Sequence, residues 1–115
     1  MARGPVAAAV AGVPPSEQSG RIYEVFNPGY SVGVACDERG WIVGVHVGDE
    51  VWDETDRWLA AEIVRVARLA YAKAGVARRA DLLADGASAQ LADSLGLPTD
   101  ADYRLMAQAE FGEGY

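Results

Sequence analysis

Tyr30-Ser31-Val32-Gly33-Val34-Ala35-Cys36-Asp37-Glu38-Arg39-Gly40-Trp41-Ile42-Val43-Gly44-Val45-His46-Val47 is the stretch whose reading decides the fold. Val32 and Val34 point the same way in its first half, and Val43, Val45 and Val47 share a face in its second. Successive side chains of a strand point to opposite faces, so this period of two marks a half-buried sheet. Asp37-Glu38-Arg39-Gly40 lies between the halves; it is short, polar and ends in glycine, as a hairpin connection does. Upstream, Ile22-Tyr23-Glu24-Val25-Phe26 reads as another strand. Asn27-Pro28-Gly29 closes it with residues that favour turns.

Downstream the period changes. After the connection from Gly48 to Trp52, the acidic run Asp53-Glu54-Thr55-Asp56 marks a helix start, with Asp53 or Thr55 as the N-cap. From Asp56 onward Leu59, Ile63, Val66, Ala67, Ala70 and Ala74 recur at spacings of three and four and form the stripe expected to pack on the sheet. Arg57, Glu62, Arg65, Arg68 and Lys73 fall on the opposite side. Trp58 and Leu69 break that polar side, either by chance exposure or as a second contact surface. Gly75 weakens the helix without ending it, so the helix is expected to run to about Ala84, where Asp85-Gly86 interrupts it. A short helical piece over residues 87–95 follows, then a stop at Gly96-Leu97-Pro98. A last helix over residues 100–110 is opened by Thr99 with Asp102 three residues on. The expected fold is α+β: a three-stranded antiparallel β-meander, a long α-helix and further short C-terminal helices. Residues 1–20 read as a flexible arm, 21–84 as the β-β-β-α core, and 85–115 as a C-terminal helical segment with a fraying tail.

The 115 residues suit one domain, and half are hydrophobic, much of that alanine, which buries little area. A formal charge of −7 disfavours general binding to nucleic acid or anionic lipid. The single cysteine, Cys36, excludes an internal disulfide, fits a reducing cytosol and reads as a packed residue rather than a nucleophile. No run approaches the length of a membrane span. Pro5 to Val13 is apolar but alanine-rich and free of leucine and phenylalanine, which argues against a secretory leader.

No catalytic constellation appears. His46 is the only histidine and alternates with Val45 and Val47, as a residue on the outer face of a strand does. Asp49, Glu50, Asp53, Glu54 and Asp56 lack the ligand spacing and central glycine of an EF-hand loop. The expectation is therefore a protein with no catalytic residues, no metal and no cofactor. Arg57, Arg65, Arg68, Lys73, Arg78 and Arg79 make a basic run opposed by Glu62. It is either a solvated face or a patch for phosphates, the second being the DNA-binding alternative.

The ordered set Val32-Gly33-Val34, Asp37-Glu38-Arg39-Gly40, Val43-Gly44-Val45-His46-Val47 and an acidic helix start resembles the YbaB/EbfC family. It is closest to actinobacterial ESX (type VII) secretion-associated proteins of the EspD/EspH kind. That closer likeness rests on Tyr23-Glu24-Val25-Phe26-Asn27-Pro28, Val51-Trp52, Leu59-Ala60-Ala61-Glu62-Ile63, Ala67-Arg68-Leu69-Ala70, Gly96-Leu97-Pro98-Thr99 and Ala107-Gln108-Ala109-Glu110-Phe111. The resemblance implies a YbaB-like α+β fold that dimerises, and a cytosolic, chaperone-like accessory role that stabilises or delivers ESX substrates. It also implies the alternative of a nucleoid-associated DNA binder. A homodimer is expected on physical grounds as well, since one helix covers one face of a three-stranded sheet and an alanine-rich stripe buries little. Trp41 or the sheet edge is the expected interface, with Trp52 near the sheet–helix junction and Trp58 and Leu69 as further contact residues.

Overall fold

Val32, Val34 and Cys36 are fully buried in the middle strand, and the molecule is assembled around them. The computed structural model describes residues 20–112. The arm over residues 1–19 and the tail over residues 113–115 lie outside the described residues. Strands β1 (Ile22–Phe26), β2 (Val32–Asp37) and β3 (Ile42–Val47) form an antiparallel meander in the order β1-β2-β3. Val25 stands opposite Val34, and Val34 opposite Val45, so the valines of all three strands share the inner face. The β2–β3 turn closes through Gly40 N donating to Asp37 O at 2.9 Å, with Gly40 at φ 88°, a conformation glycine adopts without steric cost.

A 3₁₀ turn, Asp49–Asp53, leads to the long helix α1 (Asp56–Ala84). Thr55 is the N-cap, its side chain accepting from Trp58 N at 3.0 Å. Asp85 caps the other end and Gly86 turns the chain away at φ 100°. Two short helices follow, α2 (Ala89–Ser94) and α3 (Asp100–Phe111). Thr99 and Asp102 form the expected capping box at the start of α3. The architecture is α+β, a three-stranded antiparallel sheet followed by a long helix and further short helices.

α1 packs on β1 and β2 from the inner side and receives α2 and α3 on its flank. That second helical layer changes which residues of α1 are buried. Val66, Ala70 and Ala74 of the expected stripe are in the core, with Leu59, Ile63 and Ala67 half-buried beside them. Leu69 and Glu62, both expected on the solvent side, are buried. The reason is visible in the contacts of α3. Arg65 binds Glu110, and Ala72 and Gly75 face Pro98 and Met106, so the flank between them is covered. Gly75 sits where an added Cβ would lie 2.9 Å from Pro98 Cδ, which explains a glycine inside a long helix.

Candidate functional site

The β1–β2 turn builds one end of the sheet. Asn27, buried, uses its Oδ1 to accept from Ser31 N at 2.9 Å and Val32 N at 3.1 Å. Its Nδ2 donates to Ser31 Oγ at 3.0 Å and to Glu62 Oε2 at 2.8 Å. Glu62, 6% exposed, is paired in turn with Arg65 Nη1 at 3.1 Å. Arg65 continues to Glu110, through Nε at 3.0 Å and through Nη2 to the backbone oxygen, and lies 4.4 Å from the Phe111 ring centroid. A single polar chain thus ties the turn to α1 and to the end of α3. It also holds Tyr30 at φ 59°, an uncommon conformation for a residue with a side chain.

Beyond that turn lies the outer sheet face, whose small middle residues Gly33, Ala35 and Gly44 are buried by their neighbours. Opposite the core, Ala35 pairs with Glu24 and Gly44, and Gly33 pairs with Phe26 and His46. The Phe26 ring lies over Gly33, 5.6 Å from both Tyr30 and His46 by ring centroids. His46 occupies the outer face that its alternation implies. Ile22, Tyr30, Trp41 and Ile42 are all exposed. Trp41 is 70% exposed, anchored by its N–H to Asp37 Oδ1 at 3.0 Å, with Arg39 5.7 Å from its ring centroid. Trp52, 84% exposed, projects from the 3₁₀ turn that joins sheet to helix. Tryptophan combines a large apolar ring with a polar N–H, which makes Trp41 and Trp52 candidate contact residues.

The two sheet edges differ. On β1, Lys73 Nζ donates to Glu24 O at 3.1 Å, and Arg21 is bound by Asp81, which holds that carboxyl below the ordinary aspartate range. β3, Ile42–Val47, contains no charged residue and no proline, the usual devices that keep an edge from pairing.

The remaining contact residues are placed as follows. Trp58 is half-buried and packed against the core. Leu69 is wholly inside, so the second contact surface expected at Trp58 and Leu69 is corrected: Leu69 belongs to the core beneath α3. The basic run is also dispersed. Arg65 is held by Glu62 and Glu110, and Arg79 by Asp93 at 2.7 Å and Leu97 O at 2.9 Å. Lys73 turns to β1, and Arg68 and Arg78 line a cavity against α3. Arg57 is exposed at the start of α1. Among the described residues no group of three or more His, Cys, Asp or Glu is placed to hold a metal ion, and no helix is long and apolar enough to cross a membrane. Cys36 is fully buried, and burial pushes its thiol above the ordinary range. Sequence reasoning missed the exposed Ile22, Tyr30 and Ile42, and missed the cavity altogether. Alternation in β1 carried the signal for Ile22; Ile42 lies past an irregularity in the β2–β3 pairing that sets it opposite Cys36, which alternation does not announce.

The chain matches no protein-family model, no curated protein and no solved structure.

Proposed function

We propose that this chain is a non-enzymatic, cytosolic accessory protein of type VII (ESX) secretion. In this reading it works as a homodimer, binding and stabilising secretion substrates or components in the manner of a chaperone. The observation that supports it best is the set of large apolar side chains left exposed on and beside the sheet: Ile22, Tyr30, Trp41, Ile42 and Trp52. Exposed aromatic and aliphatic side chains of this kind suit a protein partner more than a small substrate. The resemblance to the EspD/EspH kind supplies the class of partner. The engagement of Arg65, Lys73 and Arg79 by separate partners weighs against the DNA-binding alternative.

The test is affinity capture from an actinobacterial host with an ESX system, using the whole chain and a Trp41→Ala control. Recovery of an ESX substrate or secretion component with the parent chain, reduced with Trp41→Ala, is the expected result. Recovery of neither at moderate salt overturns the secretion reading. A low-salt mobility shift on duplex DNA at micromolar protein, lost as salt rises, would favour the alternative instead.

A further inference from the structure

Two adjacent arginines on α1 are treated differently by the fold. Arg79 is engaged by Asp93 and by Leu97 O. Arg78 has no hydrogen-bond or ion-pair partner among the described residues, and its Nε is sealed from solvent. It lines a half-open cavity of about 510 Å³ between α1, the α2–α3 connection and α3. Arg68, also without a partner among the described residues, lines the same cavity one α1 stretch earlier. The rest of the wall is largely apolar and includes Ala72, Leu95, Leu97, Pro98 and Met106.

A guanidinium carries five N–H donors, and with Nε sealed the Nη groups of Arg78 are the ones an acceptor in the cavity can reach. The volume falls within the range of roughly 300–1,000 Å³ typical of small-molecule sites, and so does the pattern of a few polar groups on an apolar wall. The site is also held in shape before any ligand arrives. Arg79 fastens the connection to α1, and Gly75 lets Pro98 seat directly on the helix. We propose that this cavity binds a small amphipathic organic anion, its carboxylate or phosphate accepting from Arg78 and its aliphatic or aromatic body resting on Leu95, Leu97, Pro98 and Met106. The apolar wall disfavours a bare inorganic ion, and the unpaired cation disfavours a neutral hydrocarbon. This inference is independent of the secretion reading and of any dimer.

Amide chemical shifts of the ¹⁵N-labelled full chain, titrated with octanoate, octyl phosphate, octanol and inorganic phosphate below micelle-forming concentrations, test it. Saturable shifts centred on Gly75, Gly96 and Leu97 are expected with octanoate or octyl phosphate, and whichever binds tighter identifies the head group. Octanol and inorganic phosphate should each bind about tenfold more weakly or not at all. Arg78→Met should reduce affinity for the anionic probes about tenfold while leaving octanol unchanged. If Arg78→Met fails to fold, Arg78→Gln carries the same expectation. Equal binding of octanol, equal binding of inorganic phosphate, retained affinity in the Arg78 variant, or no saturable binding by either amphiphile each overturns the proposal.

Discussion

Asn27 is a residue whose importance exceeds its place in a turn. It satisfies two backbone N–H groups, a serine hydroxyl and a buried carboxylate at once. Removing it leaves Glu62 buried with one donor fewer and strands Ser31 N and Val32 N. Each unsatisfied buried group costs about 1–3 kcal/mol, so Asn27→Ala should destabilise by about 3 kcal/mol in urea unfolding. Ser31→Ala removes one hydroxyl contact and should cost about 1 kcal/mol. A loss below 1 kcal/mol for Asn27→Ala would mean that the network is not a stabilising unit. The sequence showed Asn27-Pro28 as a turn but placed Glu62 among solvated residues. Helical periodicity sorts residues by polarity; it has no way to register a hydrogen bond between partners 35 residues apart. Leu69 was misplaced for a related reason: it belongs to a core shared by the sheet, α1 and α3, and the stripe of α1 does not announce the third of these.

Elements were more legible than residues because their ends carry chemistry in the local sequence. Thr55, Asp85-Gly86 and the Thr99–Asp102 box all sit where the helices begin or stop. The capping box also makes an acid-sensitivity prediction. Thr99 N and hydroxyl hold the Asp102 carboxyl below the ordinary aspartate range. A carboxyl whose folded pKa is lowered adds stability that is present above the unfolded pKa and is lost as pH falls through the folded one. Asp102→Asn should therefore lower the melting temperature at neutral pH and leave a shallower decline below about pH 4 than the parent shows. An unchanged acid limb in a thermal series would contradict this. At Gly75 two effects compete. Alanine gains about 1 kcal/mol of helix propensity, but its Cβ would stand 2.9 Å from Pro98 Cδ, on a ring that cannot swing aside. The clash should win, so Gly75→Ala should destabilise by about 1 kcal/mol. In the double-mutant cycle Pro98→Ala should restore the gain, with a coupling of about 1 kcal/mol. Additive effects would show that Pro98 does not restrain the helix.

At the scale of the whole molecule, the sheet alternation and the helix caps made the order of elements readable, and Trp41 and Trp52 were legible as surface candidates from their places at strand and connection. The cavity was not legible, because Arg78, Leu97 and Met106 meet only after three helical elements fold together. What remains is the open half of the sheet. The helices occupy the inner face; on the other, the half-buried Phe26 ring covers Gly33, while Ile22, Trp41 and Ile42 stay exposed around the sheet. β3 borders that face and offers unpaired backbone along six residues without a charge or a proline. Antiparallel pairing of β3 with the same strand of a second copy would extend each sheet and set one Trp41 at each end of the seam. An interface of this kind is apolar along the strand and aromatic at its ends, which suits a stable dimer. The expected outcome is a dimer mass by sedimentation equilibrium at tens of micromolar. Val45→Lys, which places a charge on the half-buried edge, is expected to dissociate it more completely than Trp41→Ala. Because Val45 also touches the core, Trp41→Ala is the decisive control: its side chain is exposed, so a fall in melting temperature with dilution in the parent, absent in the variant, identifies the seam. A monomer mass for the parent chain, with melting independent of concentration and of Trp41, removes the dimer and leaves the outer face to a different protein partner.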